Sequence, residues 1–263
     1  MSTSEHPFDD GFLSAAVREV RTEVHRQYAK LVDLVYRANR RAVALQHALA
    51  IHFDRPEQAL GAALYARTLA STQATALLLE HGLPSQARTV LRAAIESLIP
   101  LCAIAKQPTV ATAFIASHDA DRRIVVDRIR RWKDPALRAS IDSRISEAEL
   151  EAVTKGSGKA TNLYDLAMIA DMEDWYLTLY TLLSFAAHTK VSDLDRHVVL
   201  DANGNAIEFQ NEPDTSNQEA VWAWIAEVQL AAIRSVSALF SLTPEDIDSL
   251  SQNLREISEH YGA

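Results

Sequence analysis

The chain has 263 residues, 48% of them hydrophobic, which is enough apolar sequence for a substantial buried core. Its seven glycines and eight prolines are few for this length, which excludes turn-rich sandwiches and barrels and favours an all-α fold. The lone Cys102 excludes an intramolecular disulfide framework. The sequence shows no leader and no apolar run of 18 or more residues, so we expect a cytoplasmic protein without a membrane span.

The net charge of −9 is unevenly distributed along the chain. Residues 1–138 hold 19 Lys and Arg against 14 Asp and Glu, whereas residues 139–263 hold 7 against 21. The simplest interpretation is mutual attraction between the halves, within one fold or across a dimer. The alternative is a nucleic-acid-binding surface on the basic half, centred on residues 121–133, although the overall acidity disfavours non-specific nucleic-acid binding.

The N-terminal part of the chain is predicted to be helical after a flexible start. We expect residues 1–10 to be flexible and residues 11–263 to form a single domain. From residue 11 to about residue 51, apolar residues recur close to the 3.6-residue period of a helix. This segment is therefore predicted to be one long helix or a broken one.

Proline, glycine and aspartate residues mark the boundaries of the next helices. Asp54 is a predicted N-cap, Gly82 ends the helix that follows it, and Pro84 opens another. We expect Pro100 to interrupt that third helix, because proline has no N–H to offer the carbonyl of Glu96.

The C-terminal part of the chain combines further helices with one hairpin. Asn203-Gly204, flanked by two short β-prone runs, predicts a β-hairpin over residues 197–210. The remaining predicted helices begin at Pro108 and Pro135 and cover residues 162–188, 214–240 and 244–260. We therefore predict an all-α bundle of about eight helices with a small hairpin insertion.

Two of the predicted helices carry polar residues at four-residue spacing within apolar sequence. A step of four residues advances about 400° around a helix, so each set forms a stripe on one face. Burying an unpaired arginine or carboxylate is costly, so we expect the stripes to face each other in an interior polar site. The alternatives are an intrahelical ion-pair ladder and a satisfied core trio. The first stripe is Arg88, Arg92 and Glu96, and the second is Tyr180, Ser184 and His188.

The leading hypothesis is a ligand-sensing or interaction module in which this polar site binds the ligand. Arg92 would bind an anionic group or hold Glu96, and His188 would complete the network as a proton carrier or donor. If the network is buried, we expect Arg92→Ala and His188→Ala each to lose more than about 1 kcal/mol. A hydrolytic triad is disfavoured because Ser184 and His188 lie one turn apart on one helix. The sequence has neither Glu-x-x-His nor His-Glu-x-x-His, so we predict no metal and no cofactor.

The same residues carry a family resemblance. Leu91-Arg92-x3-Glu96, with Tyr180-x3-Ser184-x3-His188 downstream, resembles a family of uncharacterised bacterial helical proteins, a domain of unknown function, over about residues 60–195. The resemblance implies an all-helical fold with these side chains gathered in its interior. It implies no particular activity.

A looser resemblance is to the HEPN superfamily of helical ribonucleases, in which an arginine precedes a histidine by a short interval. Arg255 and His260 match this pattern with four residues between them. The resemblance implies a metal-independent ribonuclease, in a toxin or phage-defence setting, that acts across a dimer. Apart from this resemblance, we expect the chain to form a homodimer through a long terminal helix. The arginine would stabilise a phosphorane and the histidine would move a proton. The catalytic candidates are His188, Glu96, Arg255 and His260.

Overall fold

The computed structural model describes residues 7–8, 10–52, 54–131, 133–142, 161–188, 197–210 and 212–261. Within these ranges the chain is helical apart from one hairpin, which confirms the predicted all-α bundle with a hairpin insertion. Most of the predicted flexible N-terminus, residues 1–6 and 9, lies outside the described residues. The same is true of the second half of the helix predicted to begin at Pro135.

The described helices and strands follow one another along the chain in this order. After a short 3₁₀ turn at Gly11–Leu13, the first six helices are α1 (Val17–Gln27), α2 (Ala29–Ala48), α3 (Pro56–Glu80), α4 (Pro84–Lys106), α5 (Val110–Arg130) and α6 (Pro135–Asp142). Next come α7 (Leu163–Ile169), α8 (Glu173–Trp175), a π-helical turn (Tyr176–Tyr180), α9 (Thr181–Ala187), β1 (Val198–Leu200), β2 (Ala206–Phe209), α10 (Glu219–Phe240) and α11 (Ile247–Tyr261).

The core lies where α3, α4 and α10 pack against one another, with α2 beside α10. Trp222 on α10 is among the largest fully buried side chains. Among the described helices, α10 alone is long and apolar enough to span a membrane by length and composition, and 61% of its apolar window is buried within the protein. In this fold, burial on several sides accounts for its apolar composition.

The turn between α3 and α4 confirms two predicted boundaries. Gly82 has φ +70°, and a Cβ at this position would lie 2.4 Å from Pro213 Cβ, so glycine suits both the conformation and the space. The Gly82 carbonyl accepts a hydrogen bond from the Asp214 N–H at 3.0 Å. Pro84 is the first residue of α4. The turn thereby sets α4 beside α3 and holds the segment that leads into α10.

Helix α4 continues through Pro100, so the predicted interruption is wrong. The neighbouring Leu98, Ile99 and Leu101 are all fully buried. Their packing holds the helix together even though the proline removes one backbone hydrogen bond, since tertiary contacts supply most of the stability of helices in proteins.

Several other predicted boundaries differ from the structure, and one of them is the start of α10, at Glu219 rather than at about residue 214. The helix predicted over residues 162–188 is broken at Asp171, whose φ of 55° is left-handed. The N-cap of α3 is Arg55 rather than Asp54. Helix α11 begins at Ile247 rather than at residue 244, after the left-handed Asp246. Aspartate tolerates this conformation better than most residues, but nothing in the spacing of apolar residues marks it.

The predicted hairpin is present at its predicted position. Strands β1 and β2 pair antiparallel, with Val198 opposite Phe209. The Asp201 carboxylate accepts hydrogen bonds from the Asn203 and Asn205 N–H groups at 2.9 and 2.8 Å, which closes the loop. The hairpin therefore has a turn with its own hydrogen bonds.

Candidate functional site

Helix α4 and the segment formed by the π-helical turn and α9 pack side by side and bring the two polar stripes into contact. Arg92 Nε donates to Ser184 Oγ at 3.0 Å, and Nη2 donates to Tyr180 Oη at 2.7 Å. Nη2 also lies 2.9 Å from Glu96 Oε1, which accepts from Tyr180 Oη at 3.0 Å. We call Arg92, Glu96, Tyr180 and Ser184 the Arg92 network. The predicted convergence of these four side chains is what the structure shows.

The two hydroxyl groups of the network are each used as donor and acceptor. Ser184 Oγ donates to the Tyr180 carbonyl at 2.7 Å while accepting from Arg92, and Tyr180 Oη donates to Glu96 while accepting from Arg92. Arg92 Cζ also lies 4.9 Å from the Tyr180 ring centroid, a cation–π contact. The Tyr180 ring stacks on Tyr176 at 5.1 Å. The network therefore fixes the guanidinium group from several directions.

Part of the charged pair remains available for a further partner. Among the described residues, Arg92 Nη1 and Glu96 Oε2 have no hydrogen-bond partner. The Arg92 side chain is 21% exposed and that of Glu96 is 37% exposed. The site thus offers N–H donors and a carboxylate acceptor one helical turn apart on α4, at the edge of the core.

The environment of the hydroxyl groups suits binding better than covalent chemistry. Burial, together with the hydrogen bond to Glu96, raises the pKa of Tyr180, so its hydroxyl stays protonated near neutral pH. Ser184 lies beside an arginine and a backbone carbonyl. Neither group is a base that could activate the hydroxyl as a nucleophile.

The two remaining stripe residues, Arg88 and His188, do not belong to the Arg92 network. Arg88 is half-buried on α4, one turn before Arg92. His188 is exposed and is the C-cap of α9, where its backbone N–H bonds to the Ser184 carbonyl at 3.0 Å. No side chain among the described residues contacts the His188 ring by a hydrogen bond or ion pair. The predicted ligand-binding role of these two residues stays a prediction.

The second pair of catalytic candidates lies on α11, distant in sequence from the network. Arg255 is exposed and donates to Gln252 Oε1 at 2.7 Å. His260 lies five positions further along the same helix, so the two Cα positions are separated by roughly 140° around the axis. Within one chain, α11 therefore does not place the pair on one face.

A second charged cluster, which no sequence pattern predicted, surrounds Glu80 at the end of α3. The Glu80 side chain is 0% exposed. His25 Nε2 lies 2.6 Å from Glu80 Oε1, and Tyr36 Oη donates to the same oxygen at 2.5 Å. Arg21 Nε lies 3.1 Å from Oε2 without hydrogen-bond geometry. We call Glu80, Arg21, His25 and Tyr36 the Glu80 network, and it ties α1 and α2 to the end of α3.

The electrostatics of this cluster follow from the buried carboxylate. The charge of Glu80 is the main cause that raises the pKa of the Arg21 guanidinium. Burial, and then the hydrogen bond to Glu80, raises the pKa of Tyr36. The one local signal in the sequence is an acid directly after the apolar run Leu77-Leu78-Leu79, because a carboxylate that is buried beside apolar residues rarely lacks partners. Its partners lie on α1 and α2 at no recognisable spacing.

Two other titratable groups sit in or near the core. The Cys102 thiol contacts the Ser235 hydroxyl at 3.1 Å, and burial raises its pKa to about 11, so little thiolate forms near neutral pH. Glu227, half-buried on α10, has no ion pair among the described residues, and burial raises its pKa. No group of three or more potential metal ligands occurs within the described ranges.

The central part of the chain matches a known protein family. The model of a family of unknown function (DUF5677) matches residues 58–206, more than half of the chain, which confirms the predicted resemblance to an uncharacterised family. The matched region contains all four residues of the Arg92 network but only Glu80 of the Glu80 network. No curated protein and no solved structure matches the chain, and nothing in the comparisons supports the HEPN resemblance.

Proposed function

The chain belongs to this family of unknown function, and from the geometry of the Arg92 network we propose that it is a ligand-binding helical module. The observation that carries the proposal is the state of Arg92. Three side chains hold its guanidinium group, yet Nη1 keeps both N–H groups without a partner among the described residues. A donor that is already fixed loses little conformational entropy on binding, which supports ligand recognition at this position.

The chemistry of the free atoms indicates the class of ligand. Because Arg92 and Glu96 neutralise each other, the site does not require a charged ligand. A group that accepts from Nη1 and donates to Glu96 Oε2 would satisfy both free atoms, and a primary carboxamide has this combination. We therefore propose that the ligand carries a carboxamide or a similar neutral donor–acceptor group.

Benzamide and methyl benzoate form a matched pair of probes, because the ester cannot donate a hydrogen bond to Glu96. We expect benzamide to raise the melting temperature in thermal-shift measurements and methyl benzoate to raise it less. At ten times its dissociation constant, a ligand stabilises the folded state by about 1.4 kcal/mol, a shift of roughly 3 °C for a domain of this size.

Arg92→Lys tests the position, because lysine keeps the charge but cannot hold the Ser184 and Tyr180 contacts together. Arg67→Lys is the matched control, since Arg67 Nε also donates to a serine, Ser97 Oγ, at 3.1 Å. We expect the benzamide shift to persist in the control and to vanish in Arg92→Lys. Equal shifts in both variants would place the binding elsewhere and overturn the proposal.

The other expectations from the sequence remain predictions. They are the homodimer through the terminal helix, the cytoplasmic location and the binding of RNA. Gel filtration with light scattering would test the first directly.

A further inference from the structure

A cavity of about 450 Å³ lies between α2 and the start of α11. Its charged lining residues are Arg37, Arg40 and Arg41 from α2 and Asp246, which precedes α11. We call it the arginine cavity. It shares no residue with the Arg92 network, so a ligand bound here would be independent of the proposed carboxamide site.

The three arginines differ in how far their charges are already paired. Arg37 Nε bonds to Asp33 Oδ2 at 2.8 Å. Arg41 pairs with Asp246 and also lies 3.7 Å from Glu245 Oε2. Arg40 is exposed and has neither an ion pair nor a hydrogen bond among the described residues. The lining therefore holds a guanidinium group whose charge no described contact neutralises.

The first turn of α11 lies beside the same cavity, whose lining includes Ser249 and Leu250. The first backbone hydrogen bond of α11 runs from the Leu250 N–H to the Asp246 carbonyl at 2.9 Å, so the N–H groups of residues 247–249 have no acceptor within the helix. The Ser249 side chain lines the cavity. N–H groups without an acceptor in their own helix, at the positive end of a helix of 15 residues, favour an anion.

We propose that the arginine cavity binds a phosphomonoester of a small organic molecule. The phosphate oxygens would accept from Arg40, from the Ser249 hydroxyl and from the N–H groups at the start of α11. Ala44 and Leu250 form the apolar part of the lining, against which the organic part would pack. The volume lies within the range of small-molecule sites and exceeds what a phosphate group alone would fill.

The surroundings favour a small phosphomonoester over a nucleic acid. An extended strand needs a continuous basic track, whereas Asp246 lines this cavity and Asp33 and Glu245 lie beside its arginines. The net charge of −9 also repels a polyanion at longer range. A small ligand with one phosphate group is attracted by the local positive charge and is repelled far less by the net charge of the chain than a polyanion is.

Isothermal titration calorimetry at low ionic strength, with phenyl phosphate, inorganic phosphate and phenol as probes, tests the proposal. We expect phenyl phosphate to bind more tightly than inorganic phosphate and phenol not to bind. Arg40→Gln should weaken phenyl phosphate at least tenfold, and because Arg40 has no intramolecular partner among the described residues, the variant should unfold at the wild-type temperature.

Arg26→Gln is the control, since it removes one exposed arginine from α1 and should leave the affinity within twofold of wild type. The proposal is overturned if phenyl phosphate does not bind, if it binds no more tightly than inorganic phosphate, or if both variants weaken it equally. It is also overturned if a single-stranded RNA oligomer of 12 nucleotides displaces phenyl phosphate at a lower concentration than any monoester requires.

Discussion

The Glu80 network and the Arg92 network differ in how deeply the central charged side chain is buried. Each centres on one charged side chain and includes a tyrosine hydroxyl and an oppositely charged group, and each ties distant segments together. Glu80 is fully buried, with all its partners directed at its carboxylate. Arg92 is partly exposed, and the two N–H groups of Nη1 have no partner in the part of the chain that the structure describes.

This difference separates a charge that supports the fold from a charge that can recognise a ligand. A buried carboxylate has lost its hydration, so its partners are needed merely to make its burial tolerable. Water could solvate a partly exposed guanidinium group, so burial alone does not require the three groups that hold it. Four predictions test this distinction, beginning with the largest expected effect.

Removing the two basic side chains of the Glu80 network should have the largest effect on stability. Arg21→Ala combined with His25→Ala leaves a fully buried carboxylate with only the Tyr36 hydroxyl. We expect the free energy of unfolding to fall by about 3–5 kcal/mol in urea denaturation, because the charge is left uncompensated. The matched control is Arg18→Ala with Arg26→Ala, two exposed positions on the same helix, and it should stay close to wild type. A similar loss in both double variants would contradict the assignment.

Arg92→Ala should have a smaller effect because water can replace its contacts. We expect a loss of about 1–3 kcal/mol, measured in the same way, from the hydrogen bonds to Ser184 and Tyr180. His188→Ala should change stability by less than about 0.5 kcal/mol, since the residue is exposed and caps α9 through its backbone. A loss for His188→Ala as large as that for Arg92→Ala would restore His188 to the network.

The two tyrosines probe the same difference at the level of single atoms. Tyr36→Phe removes a donor to a fully buried carboxylate, whereas Tyr180→Phe removes one to a carboxylate that is 37% exposed. We expect about 1.5–3 kcal/mol for the first and about 0.5–1.5 kcal/mol for the second, because hydrogen bonds to buried charges contribute more. Equal losses would show that burial does not distinguish the two networks.

Glu227 extends the comparison to a half-buried carboxylate that has no ion pair among the described residues. Burial raises its pKa, so ionisation is less favourable in the folded state than in the unfolded state. Its contribution to stability is therefore complete below the unfolded pKa and is lost as pH rises through the folded pKa. We expect Glu227→Gln to raise the melting temperature at pH 7 and to raise it less as the pH is lowered towards the ordinary pKa of a glutamate, about 4.3. A gain independent of pH would indicate a packing effect instead.

Local signals in the sequence predict much of the fold. Gly82 and Pro84 mark a turn because their backbone preferences act within a few residues, and Asn203-Gly204 marks the hairpin for the same reason. The prediction from Pro100 is wrong because packing in the surrounding core compensates for the missing backbone hydrogen bond. The break at Asp171 has no such signal, because an aspartate in a left-handed conformation looks like any polar helix residue in sequence.

The candidate site was predictable only where a helix imposes spacing. Tyr180 and Ser184 meet Arg92 because residues four apart share a face, and that regularity is visible in sequence. His188 belongs to the same pattern but falls where α9 ends, so the pattern no longer governs its position. The Glu80 network joins residues from three helices, and no periodicity within one segment can reveal such a set.

The π-helical turn at Tyr176–Tyr180 has a consequence for how this family could change over time. A π turn commonly amounts to one additional residue in an α-helix, and it is stable only where its surroundings compensate for the poorer backbone geometry. Because the turn takes up its additional residue locally, loss of a single codon here would restore a regular α-helix and leave Ser184 on the face that meets Arg92. The same loss between Arg92 and Glu96 on α4 would rotate Glu96 by about 100° away from Arg92. We therefore expect the contacts of Arg92 to tolerate a change of chain length at this turn that they would not tolerate within α4.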